Sequence, residues 1–281
     1  MPAGPQLWTE EVRANRAKRG HSQGVGDSYI PHLFSQEVSN RSTQTRMPSD
    51  VGNRTINLLD ALARQLYEVH SFVPGLVGYY ESFSIPRPFT LAAAQALCVA
   101  HPHHSTTGIA RDLFLTALVE RKAPDGTIER TAWDAISTKQ LKRRTVNIAL
   151  MLRQAWCAQE GIPHFLFTET SVPKFVWKNI QIIRGSKLRL VEFEVVPGLL
   201  EQHPSRMLAD IATTTSKETI ASYCTRYDQQ NHLAKGSAIR VFLNLLLRHR
   251  LKVNLEVQYL LGQPIANAKP TPGVKFNIGT V

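Results

Sequence analysis

The feature that most constrains this chain is a turn. Pro124-Asp125-Gly126 stands between two runs of strand length, Leu113–Val119 and Thr127–Ile136. Proline presets a turn φ, Asp bonds the backbone two residues on, and glycine accepts positive φ. The triplet therefore predicts the tip of an antiparallel hairpin. A long basic helix is expected next, from Lys139 to Glu160, ending at Gly161, and Ile162–Thr168 reads as a buried strand. Helix followed by strand is an αβ unit, which places this part of the chain among the α/β folds.

The hairpin also sets up chemistry. Counting back from a turn centred near Pro124-Asp125 puts position 112 opposite a residue near 137, and Asp134 opposite one near 115. Asp112 and Asp134 then share the open end of the hairpin. Two converging carboxylates suit a hard cation such as Mg2+. They also read as two solvated charges at strand termini, and both readings stand at this point. Glu120-Arg121-Lys122 spells an acid-x-Lys triplet, yet it adjoins the turn and reads as a solvated hairpin end. His101, His103 and His104 lack a fitting fourth ligand and read as a polar loop.

The flanking segments are simpler. Glu10–Lys18 is expected as a short polar helix. Asn57–Ser71 is expected as a helix, with Leu58, Leu59, Leu62, Leu66 and Val69 at helical spacing and Pro74-Gly75 beyond its end. Val77–Ile85 reads as a strand stopped by Pro86 and Pro88, and Leu91–Ala100 as a short helix or strand. Gly20, Gly24 and Gly26 do not form a dinucleotide fingerprint.

From about Glu169 the pattern becomes helical. Helices are expected over Lys174–Arg184, Arg206–Tyr227 and Ser237–His249, with Thr215–Glu218 as a capping box. Leu251–Leu255 alternates like a strand. Helices followed by a short strand suggest a small winged-helix domain, so the expected division is 1–168 and 169–281.

Composition narrows the partner. Lys and Arg total 33 against 22 Asp and Glu, a formal net charge of +11. Such an excess points to an anionic partner, most plausibly nucleic acid. Cys98, Cys157 and Cys224 lie far apart with no CxxC pair, which fits a reduced, cytoplasmic setting better than a disulfide or zinc framework. The first twenty residues lack the apolar core of a signal peptide, and Leu91–Ala100 is too short to span a bilayer, so no membrane is expected.

The order RGHSQGVGDSYIPHLFSQEV (Arg19–Val38), the helix near 57–71, ESFSIP (Glu81–Pro86), the PDG hairpin and GIPHFLFTE (Gly161–Glu169) resembles the TnsA-type endonuclease subunit of heteromeric transposases. LAKGSAIRVFLNLLLRHRLKVNL resembles that family's second domain. The resemblance spans roughly 19–260. It implies a restriction-endonuclease-like N-terminal domain and a winged-helix-like C-terminal domain. It also implies Mg2+-dependent nicking at transposon 5′ ends, beside a TnsB-like transposase and a TnsC-like ATPase.

Carried over residue by residue, the resemblance assigns the hairpin acid to Asp112 and the acid-x-Lys triplet to Asp134-Ala135-Ile136. Its lysine thus becomes Ile136. The helix acid falls within Ala61-Leu62-Ala63 and is missing, with Leu62 at the centre and Asp60 one or two positions off. Two carboxylates hold one Mg2+ weakly, and without lysine nothing polarises the attacking water. Lys139 or Lys142 stands near enough in sequence to substitute.

Three functions follow for testing. The first is a weakened or inactive transposition subunit that binds DNA ends and partner proteins, including an intact TnsA-like paralogue. The second is an active metal-dependent endonuclease, and the third a winged-helix DNA-binding regulator. Lys235, Arg240, Arg248, Arg250 and Lys252 surround the last helix and are the expected DNA-binding face.

Overall fold

A computed structural model describes residues 8–37, 43–192 and 198–271. The chain separates into two compact units between Ser171 and Val172, with Phe72–Pro74 grouped with the second.

The hairpin forms as expected and organises the first unit. Strands β4 (Phe114–Lys122) and β5 (Ile128–Ala135) pair antiparallel. Asp125 Oδ1 accepts from Thr127 N at 2.9 Å and from its hydroxyl at 2.6 Å, while Gly126 adopts φ +92°. The Asp side chain thus closes the turn and glycine supplies the left-handed residue. Strand β3 (Leu76–Ser84) pairs antiparallel with β4. Helix α4 (Arg144–Gln159) carries the chain to β6 (His164–Phe167), which pairs parallel with β5. The sheet order is β3-β4-β5-β6. Tyr80, Leu118, Ala132, Trp156 and Cys157 form a buried cluster between this sheet and α4.

Helix α1 (Glu10–Lys18) matches its expected span. The next helix starts later than its leucines suggest. Thr45–Pro48 and Thr55–Leu58 form an antiparallel pair, β1 and β2, which takes Asn57 and Leu58. Helix α2 runs over Ala61–Phe72. Asp60 Oδ1 accepts from Ala63 N at 2.7 Å, so Asp60 caps α2 rather than projecting from it. Pro86 and Pro88 open a helix, α3 (Arg87–Ala96), because proline is tolerated in a first turn. A 3-10 turn at Gln140–Lys142 precedes α4, so the basic segment is not one continuous helix.

The second unit is helical, with α5 (Lys174–Glu192), α6 (Leu199–Thr213), α7 (Ile220–Gln230) and α8 (Ser237–Leu247). The helix expected over 206–227 is broken at 214–219. Thr219 caps α7 by accepting from Ser222 N, and the Thr215–Glu218 segment is loop rather than capping box. Helix α8 is the core of the unit, packed by α5, α6 and α7. Val241, Phe242, Leu245 and Leu246 are buried, each stabilising by about 1.5–3 kcal/mol. Asp228 on α7 accepts from Gly236 N and Ala238 N, both at 2.7 Å, and so caps α8 from a neighbouring helix. The strand expected at Leu251–Leu255 shrinks to Leu251–Lys252 (β7), paired with Lys269–Pro270 (β8). Among the described residues no helix is long and apolar enough to cross a membrane.

Candidate functional site

Asp112 and Asp134 line one cleft of about 550 Å³ in the first unit. The ladder pairs Ala117 with Trp133, so Asp134 lies opposite Thr116, one residue from its expected partner. Asp112 precedes β4 by two residues. The cleft also takes in Asp60, Ala63, Glu81, Ile136 and Arg153. Of the triplet Ala61-Leu62-Ala63, the residue that lines the cleft is Ala63, not Leu62, and its methyl offers no ligand.

Each deep carboxylate faces a guanidinium. Asp112, with a side chain 5% exposed, accepts from Arg13 Nε at 2.8 Å. Glu81, 2% exposed, takes Arg54 on both oxygens, at 2.9 Å on Oε1 and 2.6 Å on Oε2, and Asn57 N on Oε1 at 3.0 Å. Asp134, 1% exposed, accepts from His164 Nε2 at 2.9 Å. Arg153 Nε lies 3.1 Å from the same Oδ2, an ion pair by distance but not aligned as a hydrogen bond. A carboxylate only accepts, so His164 Nε2 carries the proton. Asp112 Oδ2 and Asp134 Oδ1 are buried without a hydrogen-bond partner.

Neighbouring groups respond to this burial. Desolvation holds the His32 imidazole down at about 4, against the opposing pull of Asp112. Burial, and secondarily the charge of Asp134, pushes the Cys157 thiol up to about 12, which keeps it a protonated core residue.

The donor set does not fit a divalent metal as it stands. Asp112 Oδ2 and Asp134 Oδ1 are open, but the guanidinium groups of Arg13, Arg54 and Arg153 stand against Asp112, Glu81 and Asp134 and would repel a dication. Among the described residues no three His, Cys, Asp or Glu side chains are grouped to hold a metal. Ile136 is 7% exposed and lines the cleft at the position where the resemblance expects lysine. Lys139 and Lys142 are exposed, and the residue of their turn that lines the cleft is Gln140.

Other candidates fall elsewhere. Glu120 pairs with Arg130 and accepts from the Tyr80 hydroxyl near the hairpin tip. His101 Nε2 lies 3.0 Å from the Thr90 hydroxyl. Most of α8, the helix that the five C-terminal cations surround, is buried. Lys235 precedes α8, while Arg248, Arg250 and Lys252 follow it, about 20 Å away at 1.5 Å per residue. Arg240 is half-buried and lines a separate groove with Lys178.

Sequence reasoning missed Glu81 as a cleft residue, although it lies in the quoted ESFSIP segment. It also missed Arg13, Arg54, Arg153 and His164. No spacing rule joins Arg13 to Asp112, which are 99 positions apart.

The fold and cleft define a mixed α/β unit with a carboxylate-arginine site, followed by a helical unit. The chain is 26% identical over 255 residues to the transposon Tn7 transposition protein TnsA of Escherichia coli. That alignment covers 91% of this chain and 90% of the other protein, which supports a TnsA-like family. No family model matches the chain.

Proposed function

We propose that this chain is a TnsA-like subunit of a heteromeric DNA transposition machinery, binding DNA ends and partner proteins with weakened or lost nuclease activity. The observation that carries this reading is the cleft itself: Asp112, Glu81 and Asp134 each face an arginine. Ala63 and Ile136 stand where the resemblance expects an acid and a lysine. Hydrolysis of a phosphodiester at such a site lacks both the metal clamp and the group that polarises water. The partners are a TnsB-like transposase, a TnsC-like ATPase and an intact TnsA-like paralogue, in the cytoplasm.

The first unit is read as restriction-endonuclease-like, on the order α2-β3-β4-β5-α4-β6 and the acids lining one cleft. The second is read as winged-helix-like with a reduced wing, on α6, α7, α8 and the β7–β8 pair. The corresponding domains are 1–168 and 169–281. The test is a nicking assay on transposon-end DNA with Mg2+ or Mn2+. Negligible cleavage is expected. Efficient nicking abolished by Asp112→Ala overturns the reading. It would promote the alternative of an active endonuclease, which the open oxygens Asp112 Oδ2 and Asp134 Oδ1 favour.

A further inference from the structure

The segment before and into α4 breaks a local rule. Lys139, Lys142, Arg143 and Arg144 are all exposed, four cations within six residues. The first turn of α4 contains no acid, and Arg143 at the N-cap makes no side-chain cap bond. Cations at the positive end of a helix dipole are unfavourable, by about 0.3–1 kcal/mol each near the terminus. Among the described residues none of the four has an acidic partner. Glu169, the acid that reaches this turn, bonds the backbone and hydroxyl of Thr138 instead. A cluster that local energetics disfavours and no internal acid compensates is a candidate for an external anion.

The cluster also adjoins the cleft. Gln140, between these cations, and Thr145, directly after them, line the cleft, so the four charges stand at its rim. The cleft carboxylates Asp60, Glu81, Asp112 and Asp134 are offset by Arg111 and Arg153, which also line it, and by Arg13 and Arg54, which pair with Asp112 and Glu81. The interior is near neutral and the rim sets the sign. In a metal-dependent nuclease the acids repel phosphate until the cation is loaded. Here guanidinium groups already occupy that electrostatic role.

We propose that the cleft and its Lys139–Arg144 rim bind the DNA phosphodiester backbone without a divalent cation, the arginines supplying the charge that a metal would otherwise supply. The inference rests on the DNA-binding part of the function proposed above and not on the loss of hydrolysis.

The experiment measures fluorescence anisotropy of a labelled transposon-end duplex and an unrelated duplex of equal length. The full chain is titrated in EDTA and in Mg2+ at matched ionic strength, across a salt series. The Kd in EDTA is expected within about twofold of that in Mg2+ for each duplex. Arg143→Ala with Arg144→Ala should flatten the slope of log K against log salt by roughly two, near 0.9 per lost phosphate contact. The pair Lys18→Ala with Lys122→Ala, exposed and outside the rim, should leave the slope unchanged. Both pairs are exposed, and thermal melts check that each variant folds. Binding that weakens more than about tenfold in EDTA overturns this inference alone, as does an unchanged slope in the Arg143/Arg144 variant. Absence of binding to either duplex under every condition overturns it together with the DNA-binding reading. The nicking assay tests hydrolysis separately, because EDTA binding is indifferent to it.

Discussion

Asp134 and His164 are diagonal neighbours across the parallel β5–β6 pair, joined by a 2.9 Å hydrogen bond from Nε2 to Oδ2. Arg153 completes the group from α4, and all three side chains are 13% exposed or less. Removing one partner of a buried charged group leaves the others uncompensated, at about 3–5 kcal/mol. Asp134→Ala is therefore expected to lower unfolding free energy by about 3 kcal/mol or more, measured by urea denaturation. Asp134→Asn, which still accepts from His164, should cost less. A loss under about 1 kcal/mol for the alanine variant would make the group incidental to folding.

A second expectation separates two roles for Asp60. Its side chain caps α2 through Ala63 N. Asp60→Ala should cost about 1 kcal/mol, and Asp60→Asn much less, because asparagine caps as well. If Asp60→Asn were as damaging as alanine, the carboxylate charge would matter and the cap would not explain it. The readout is the shift in urea midpoint at constant slope.

How far the sequence was legible follows from such cases. The hairpin was readable because Asp125 and Gly126 act on their own turn. The β1–β2 pair was missed because Leu58 fits a helical period as well as a strand. The leucines of α8 mark one apolar side in the sequence, yet Ser237, Ala238 and Asn244 are buried as well. Burial there is set by three packing helices, which no local pattern encodes. In the cleft, Asp112 and Asp134 were found from hairpin arithmetic. Their arginines arrive from α1 and α4, so the charge state of the site was invisible until the fold placed them.

Buried histidines set the pH dependence. Burial, and then Arg121, lowers His70 to about 3, and burial lowers His32 to about 4. The unfolded chain takes up these protons near pH 6.5 while the folded chain does not. Stability is thus retained above about pH 6.5 and lost as pH falls towards 4, by about 1.4 kcal/mol per pH unit for each histidine. His70→Gln should reduce that slope by about 1.4 kcal/mol per pH unit between pH 6 and 4.5, followed by urea denaturation at each pH. An unchanged slope would mean that His70 is protonated in the folded protein.

Helix α1 is expected to be the least protected helix of the first unit. None of its residues is buried. Its attachments include the ion pairs of Arg13 with Asp112, Arg16 with Glu37 and Glu10 with Arg87, hydrogen bonds from Arg16 to the His32 carbonyl and from Gln23 to the Ala17 carbonyl, and Arg16 over the Trp8 ring at 5.3 Å. A helix that is polar all round gains little from packing, and each of these pairs has one partner about a third exposed or more, so they weaken with salt. Hydrogen exchange of its amides should be fast relative to α4 and faster still at high salt. Arg13→Ala should accelerate exchange in α1 without changing α4, since the lost pair ties only the helix to Asp112. Exchange in α1 as slow as in α4, insensitive to salt and to Arg13→Ala, would show that contacts other than these ion pairs hold the helix in place.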